Sequence, residues 1–304
     1  MTREQFPIVT QGAAFYPALA RRIVELTMPN LALKPLLQDF FIKVGASATI
    51  MKQSGQRTLA VVGKAAEGQE ILWDYTPYDT FSVIPYKTTF RLRFSRELLE
   101  DQINDMVEDQ MKRAARRVIM TIDQDIEGAL NATAANSFAA SGSSIFLDGS
   151  QSSFAGTIGV KDITNAKQVL QNLALEPDTL AFNPAAVQDL YSLPQFAAQL
   201  LYGQGIYASG TGTVQTVPQL YGLKVISTPN IPLSGGRGYM LAAAGANYSA
   251  AYAPLGYFVT KRPLDTSVWP APVFDSLDVV MTTRYAPVIT YPEGIVKFTS
   301  LRTS

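Results

Sequence analysis

The stretch FRLRFSRELLED, Phe90–Asp101, decides how this chain is read. Its first five residues alternate between apolar (Phe90, Leu92, Phe94) and charged (Arg91, Arg93), the period-2 pattern of a half-buried strand. With no Gly, Pro or loop between, Ser95 then opens a long helical pattern. Apolar residues recur at Leu99, Ile103, Met106, Val107, Met111, Ala114, Ala115, Val118, Ile119, Ile122, Ile126 and Leu130, in steps of three and four. Glu97, Glu100 and Asp101 sit where the helix dipole favours acids, and Ser95 suits the N-cap. The spacing therefore predicts a helix over 95–131, about 55 Å long at 1.5 Å per residue. Most helices in globular domains run three or four turns, so this one reads as a girder to which a strand is joined without a turn.

Around this piece, the pattern is mixed. Residues 43–94 read as β. ATIMKQSGQRTLAVVGKA suggests a hairpin turning at QSGQR, and EGQEILWDY and TFSVIPYKTTFRLRF add strand material. Residues 1–42 are chopped by Pro7, Pro17, Pro29 and Pro35 and hold one short helix candidate, Ala18–Thr27, carrying Arg21 and Arg22. Residues 132–160 are rich in Ala, Ser and Gly and predict a surface loop or crossover. From Asp162 the pattern becomes α/β. DITNAKQVLQNLAL is a helix, PDTLAFNP a buried strand, and PAAVQDLYSL a helix with Pro at its first position. LYGLKVISTPNIP and GYMLAAAG are strands, and after Ala250 the chain returns to β in APLGYFVTKRPL, FDSLDVVMTTRYAPVI and GIVKFTSL.

Composition removes whole classes of chemistry. The 304 residues contain no Cys and no His. Disulfides, thiolate nucleophiles, serine triads and zinc sites built on those residues are excluded, leaving only carboxylate, Lys or Tyr chemistry for an enzyme. Lys+Arg and Asp+Glu both number 25, so the chain is formally neutral, against the basic balance of a free-standing nucleic-acid binder. Only 16% of residues are charged, which suits a protein whose surface becomes interface, because near-zero net charge favours association. MTREQFPIVTQG has no apolar core of a signal peptide. The longest uncharged runs, Leu190–Leu223 and Tyr239–Thr260, are broken by Gly, Pro and polar residues and predict no membrane span.

The order of these segments resembles the major capsid proteins of tailed double-stranded DNA viruses, the HK97-like fold. The resemblance is carried by EGQEI (Glu67–Ile71), YKTTFRLRFSRELLED (Tyr86–Asp101), PDTLAFNP (Pro177–Pro184), LYGLKVISTPNIP (Leu220–Pro232) and TTRYAPVITYPEGIVKFT (Thr282–Thr299), in order over residues 43–304. It implies an α+β capsid fold with an N-terminal arm at 1–42, an E-loop hairpin at 43–85 and a peripheral domain at 86–160 containing the spine helix 95–131. It further implies an axial α/β domain at 161–250, peripheral return strands at 251–288 and a C-terminal axial strand at 289–304. The implied partners are further copies of the chain, as pentamers and hexamers closing an icosahedral shell, and packaged double-stranded DNA held without sequence-specific contacts. Portal and decoration proteins join them, with a separate scaffolding protein or none, because the arm begins almost at Met1. The implied place of assembly is the host cytoplasm, and the destination is the virion.

Sharper sites compete with plainer readings. DQDIEG (Asp123–Gly128) matches half of a calcium loop, but position twelve is Ala134, where a bidentate Glu is needed; a solvated helix face is expected instead. GQGIYA (Gly203–Ala208) matches a dinucleotide fingerprint without its strand or acidic partner and is read as a loop. Asn131-Ala-Thr133 and Asn247-Tyr-Ser249 are glycosylation sequons that mean little without secretion. Arg284 is read as a structural ion-pair or hydrogen-bonding residue, and Trp73 and Trp269 as interface or core. Lys52 and Lys64 lie in the E-loop range, but no motif supplies a partner for a covalent cross-link. No catalytic, cofactor-binding or metal residues are assigned. Two alternatives remain: an encapsulin-like shell, with Ala18–Thr27 as a cargo-docking helix, and a carboxylate-based enzyme, which leaves the girder and hairpin unexplained.

Overall fold

The computed structural model describes residues 31–43, 45–53, 78–95, 104–140, 143–145, 151–153, 158–173, 175–192, 219–220, 222–232, 238–242, 254–271, 275–299 and 301. In chain order the strands and helices begin with β1 (Gln38–Phe41), β2 (Ala48–Gln53), β3 (Tyr78–Val83), β4 (Tyr86–Ser95) and α1 (Asn104–Thr133). There follow β5 (Asn136–Ala139), β6 (Ser143–Ile145), β7 (Gln151–Ser153), α2 (Val160–Asn172), β8 (Thr179–Phe182), α3 (Pro184–Ser192), β9 (Gln219–Leu220), β10 (Leu223–Ser227) and β11 (Gly238–Leu241). The last three strands are β12 (Gly256–Ala271), β13 (Ser276–Ile289) and β14 (Ile295–Thr299).

Two sheets organise these elements. The first has the order β1-β12-β13-β4, the second β5-β14-β11-β8-β10-β9. In the first, β4 pairs antiparallel with β13 from Tyr86↔Tyr285 to Ser95↔Ser276, and the alternation read from the sequence is realised. Phe90, Leu92 and Phe94 turn inward, while Arg91 and Arg93 stay exposed. Ser95 is the last residue of this strand rather than a helical residue, and the helix is continuous from Asn104 to Thr133, two residues beyond its expected end. The junction itself, 96–103, lies outside the described residues. Two of the three prolines in the long strands, Pro287 and Pro263, have positions that tolerate a missing N–H. Pro287 sits beyond the end of β4, where β13 has a neighbour on one side only, and Pro263 falls within the register shift of β12 between Arg262 and Asp265.

In the second sheet, β8 and β11 are buried at every position, so their sequences TLAF and GYML do not alternate. Asp162 accepts a hydrogen bond from the Gly159 N–H at 2.9 Å and starts α2. Asn183 Oδ1 accepts from Ala185 N–H at 3.0 Å and starts α3. Gly222, at φ +80°, makes the turn between β9 and β10 that an L side chain would strain.

Helix α1 lies between the sheets. Val118, Ile122, Ile126 and Leu130 share a core with Phe94, Val279, Met281 and Tyr285 of the first sheet and Ala181, Tyr239, Leu241 and Ile295 of the second. A fully buried side chain of this kind contributes about 1.5–3 kcal/mol, so the four helix residues alone fix its place. A second core on the far face of the six-stranded sheet joins Ile163, Ala166, Leu170 and Val187 of α2 and α3 to Leu180, Phe182, Met240 and Phe298.

Two local expectations are corrected. Residues 38–41, placed in the arm, form a strand that pairs in parallel with β12 from Gln38↔Tyr257 to Phe41↔Thr260. The range 132–160 is not all loop: β5 pairs with β14 at the edge of the six-stranded sheet, and β6 pairs with β7. The turn expected at QSGQR lies outside the described residues from Ser54 on. Strand β2 pairs with β3, from Ala48↔Val83 to Gln53↔Tyr78, and 54–77 lie outside the described residues.

Candidate assembly surface

The face of the four-stranded sheet opposite α1 carries the features suited to assembly. At one end it holds the base of the β2–β3 hairpin. Ala48, Ile50, Val83 and Ile42 pack on Val259 and Ala286, with Tyr257 and Val288 at the margin. Lys261 Nζ donates to the Gly45 carbonyl and ties down the approach to β2. This small apolar seat matters because a two-stranded hairpin is marginal alone. On the side away from the seat the hairpin is left open, with Met51 70% exposed and neighbouring Ile84 69% exposed.

The other end of the same face is polar. Trp269, Asp278 and Arg93 lie side by side across β12, β13 and β4, and Arg91 is two residues along. Asp278 is buried and accepts from Arg93 Nε at 2.8 Å, from Arg93 Nη2 at 3.3 Å and from Arg91 Nη2. The hydrogen bonds from Arg93 and Arg91 hold its carboxyl down at about 2, despite the opposing effect of burial. Trp269 is 62% exposed, and its indole N–H donates to Ser267 Oγ at 3.0 Å. Core filling is therefore not its role.

The carboxylates of DQDIEG overturn the expectation of a solvated helix face. Asp123 is fully buried. Its Oδ1 accepts from Leu33 N–H at 3.2 Å, and its Oδ2 from Ala32 N–H at 3.2 Å and Asn230 Nδ2 at 2.9 Å. Burial raises its pKa from the ordinary value, and the hydrogen bonds from Asn230, Leu33 and Ala32 only partly offset this. Glu127, one turn on and also buried, accepts from the Tyr239 hydroxyl of β11 at 2.6 Å. Asp125, on another side of α1, accepts from the Tyr285 hydroxyl of β13 at 2.5 Å. Burial and then the Asp125 carboxylate push both Tyr285 and its cross-strand neighbour Tyr86 upward. The three acids diverge to three parts of the fold: residues 32–33 with the turn at Asn230, the six-stranded sheet, and the four-stranded sheet. They lock the helix in place, and their geometry does not converge on one ion.

The other residues singled out in the sequence scatter. Arg284, on β13, donates from Nη2 to the Pro85 carbonyl at 3.4 Å, a hydrogen-bonding role without an ion pair among the described residues. Asn131 lies within α1. Lys52 is in β2 opposite Asp79. Lys64, Trp73, Ala18–Thr27, Gly203–Ala208 and Asn247–Ser249 lie outside the described residues. Among the described residues, no group of three or more His, Cys, Asp or Glu is placed to hold a metal, and no helix is long and apolar enough to cross a membrane.

A family model described as phage capsid protein matches residues 80–298, from β3 to β14. No curated protein sequence matches the chain. Among solved structures, the capsid of cyanophage P-SCSP1u is similar at 13% identity, over 87% of this chain and 86% of that one, with a TM-score of 0.58. The virus-like particle from Pyrococcus furiosus is 13% identical over 93% and 99% of the two chains, with a TM-score of 0.59. The SrpI encapsulin of Synechococcus elongatus is 9% identical over 91% of each, with a TM-score of 0.58. These likenesses extend over nearly all of each chain and show the HK97-like fold.

Proposed function

The chain belongs to the phage capsid protein family, and from that premise we propose that it is a major capsid protein that self-assembles into pentamers and hexamers of an icosahedral shell around double-stranded DNA. In this reading the hairpin of 43–85 is the E-loop, α1 is the spine helix, the four-stranded sheet is the peripheral layer and the six-stranded sheet the axial layer. The single observation that carries the proposal is the family match over 80–298. The hairpin supports it: its base is seated on its own sheet while large apolar side chains at Met51 and Ile84 are left open. The protein acts by enclosure, and no catalytic role is assigned to it. Assembly takes place in the host cytoplasm, with portal, decoration or scaffolding partners joining the shell.

One similar fold is an encapsulin, so the test must separate DNA from protein cargo. Purified protein is imaged by negative-stain microscopy, and particles are treated with nuclease before absorbance is read at 260 and 280 nm. In phage-infected cells, closed shells with nuclease-protected DNA are expected. Shells filled with a co-purifying enzyme would move the assignment to a compartment shell. A stable monomer of 33.1 kDa that never assembles would remove both.

A further inference from the structure

We propose that the cross-strand row Lys87–Arg284–Arg262 is a docking site for an acidic segment of a second copy of this chain, the run Glu97–Asp109. The inference rests on the capsid reading. It starts from an arrangement that the isolated subunit gains nothing by keeping. Arg262 on β12 lies directly opposite Arg284 on β13, which lies directly opposite Lys87 on β4. Like charges in directly opposed positions destabilise a sheet. No described carboxylate lies within ion-pair distance of any of the three. Arg284 Nε is buried without a hydrogen-bond partner, and its Nη2 reaches only the Pro85 carbonyl. A buried guanidinium N–H left unpaired is costly, so the row is incomplete until an acceptor arrives.

The row extends into a positive strip. The outward positions of the three strands carry Lys87, Arg91, Arg93, Arg262 and Arg284 against Asp265 and Asp278, and Asp278 is already taken by Arg91 and Arg93. Yet the whole chain is neutral, so the balancing acid lies elsewhere on it. The densest acid in the sequence is Glu97, Glu100, Asp101, Asp105, Glu108 and Asp109, against Arg96 alone. Helix α1, which holds the later part of this run, packs on the opposite face of the sheet. The described core-facing length of that helix lies behind the sheet from the row, so we assign the acid to the same run of another subunit. Exposed Trp269, on the same outward face, adds the aromatic contact that protein interfaces favour over nucleic-acid backbones. Opposite potentials of this kind set partner register and association rate.

The test is charge reversal with rescue. The double variant Lys87→Glu/Arg262→Glu changes two exposed residues. As an isolated subunit it is expected to melt at or above the wild type, because the repulsion in the row is relieved. Its yield of shells, measured by light scattering at physiological salt, is expected to fall at least tenfold. Adding Glu100→Lys/Asp101→Lys to the same chain is expected to restore assembly. Wild-type assembly with an equally assembling double variant would overturn the docking site and leave the capsid reading standing. Lost assembly without rescue would overturn the assignment to Glu97–Asp109. Normal shells that retain less DNA would place nucleic acid on the row instead. A wild-type chain that stays monomeric would overturn the capsid reading, and this one with it.

Discussion

Replacing Asp123 with Ala strands three donors inside the protein: Ala32 N–H, Leu33 N–H and Asn230 Nδ2. Each buried donor left unsatisfied costs about 1–3 kcal/mol. The loss is partly offset, because the carboxylate is itself poorly solvated, as its raised pKa shows. A net destabilisation of about 3–5 kcal/mol follows, or about 5–8 °C in Tm at about 2.1 cal/mol/K per residue. Asp123→Asn keeps the shape and one acceptor oxygen and removes the desolvated charge. The buried Asn230 Oδ1, which has no partner, can turn to accept from the new amide. That variant is expected to lose only about 1–2 kcal/mol. The pH dependence carries the sign. A folded pKa above the unfolded value means that ionisation costs stability. The Asp123 contribution is therefore full below about pH 4 and declines as pH rises through the raised value. The Asn variant lacks that decline, so its deficit narrows with rising pH. The assay is urea unfolding of the unassembled subunit at several pH values. An Ala variant within about 0.5 kcal/mol of wild type, the range of ordinary surface substitutions, would refute the buried lock and return Asp123 to a solvated helix face.

Asp278 titrates the other way. Held down at about 2 by Arg93 and Arg91, it adds stability above about pH 4 that is lost as pH falls toward 2. Asp278→Asn should flatten acid unfolding in that window, and an unchanged profile would remove the ion cluster from the account. Tyr239→Phe should cost about 1.5–3 kcal/mol by leaving the buried Glu127 short of a donor. Tyr285→Phe should cost less, because its partner Asp125 is only half-buried; equal losses in thermal melts would contradict this ranking. A Cβ on Gly256 would lie 2.3 Å from the Val288 carbonyl, whereas one on Gly238 would lie 2.2 Å from the Phe182 ring. Backbone yields less than a ring, so Gly256→Ala should exceed the about 1–3 kcal/mol of an overpacked core expected for Gly238→Ala, measured by the same melts.

What was legible in the sequence was local. The alternation in FRLRF placed β4 because one side of that strand is buried and the other is not. The apolar stripe placed α1, and PDTLAFNP placed a strand buried on both faces. What failed depended on distant partners. Asp123, Asp125 and Glu127 look like a polar face because a periodicity argument assumes one packed side. The helix lies between two sheets, so its buried arc is wider and includes polar positions whose partners lie 90 to 160 residues away. The spacing of Asp123 and Glu127, each next to a core residue of the stripe, Ile122 and Ile126, was the available signal. The described partner of β2 is Tyr78–Val83, and no local rule reports a strand pairing across so long a gap. β5 escaped because an edge strand with alternate residues exposed can be built from Asn, Ser and Ala.

The central claim is that this subunit builds a closed shell, and sedimentation velocity of the purified full-length chain tests it most directly. The account predicts a boundary of particles each containing many subunits, converting to subunits when the hairpin segment 54–77 is replaced by a short Gly-Ser linker while the melt of the subunit is retained. A single boundary at 33.1 kDa across the accessible range of concentration and salt would contradict it.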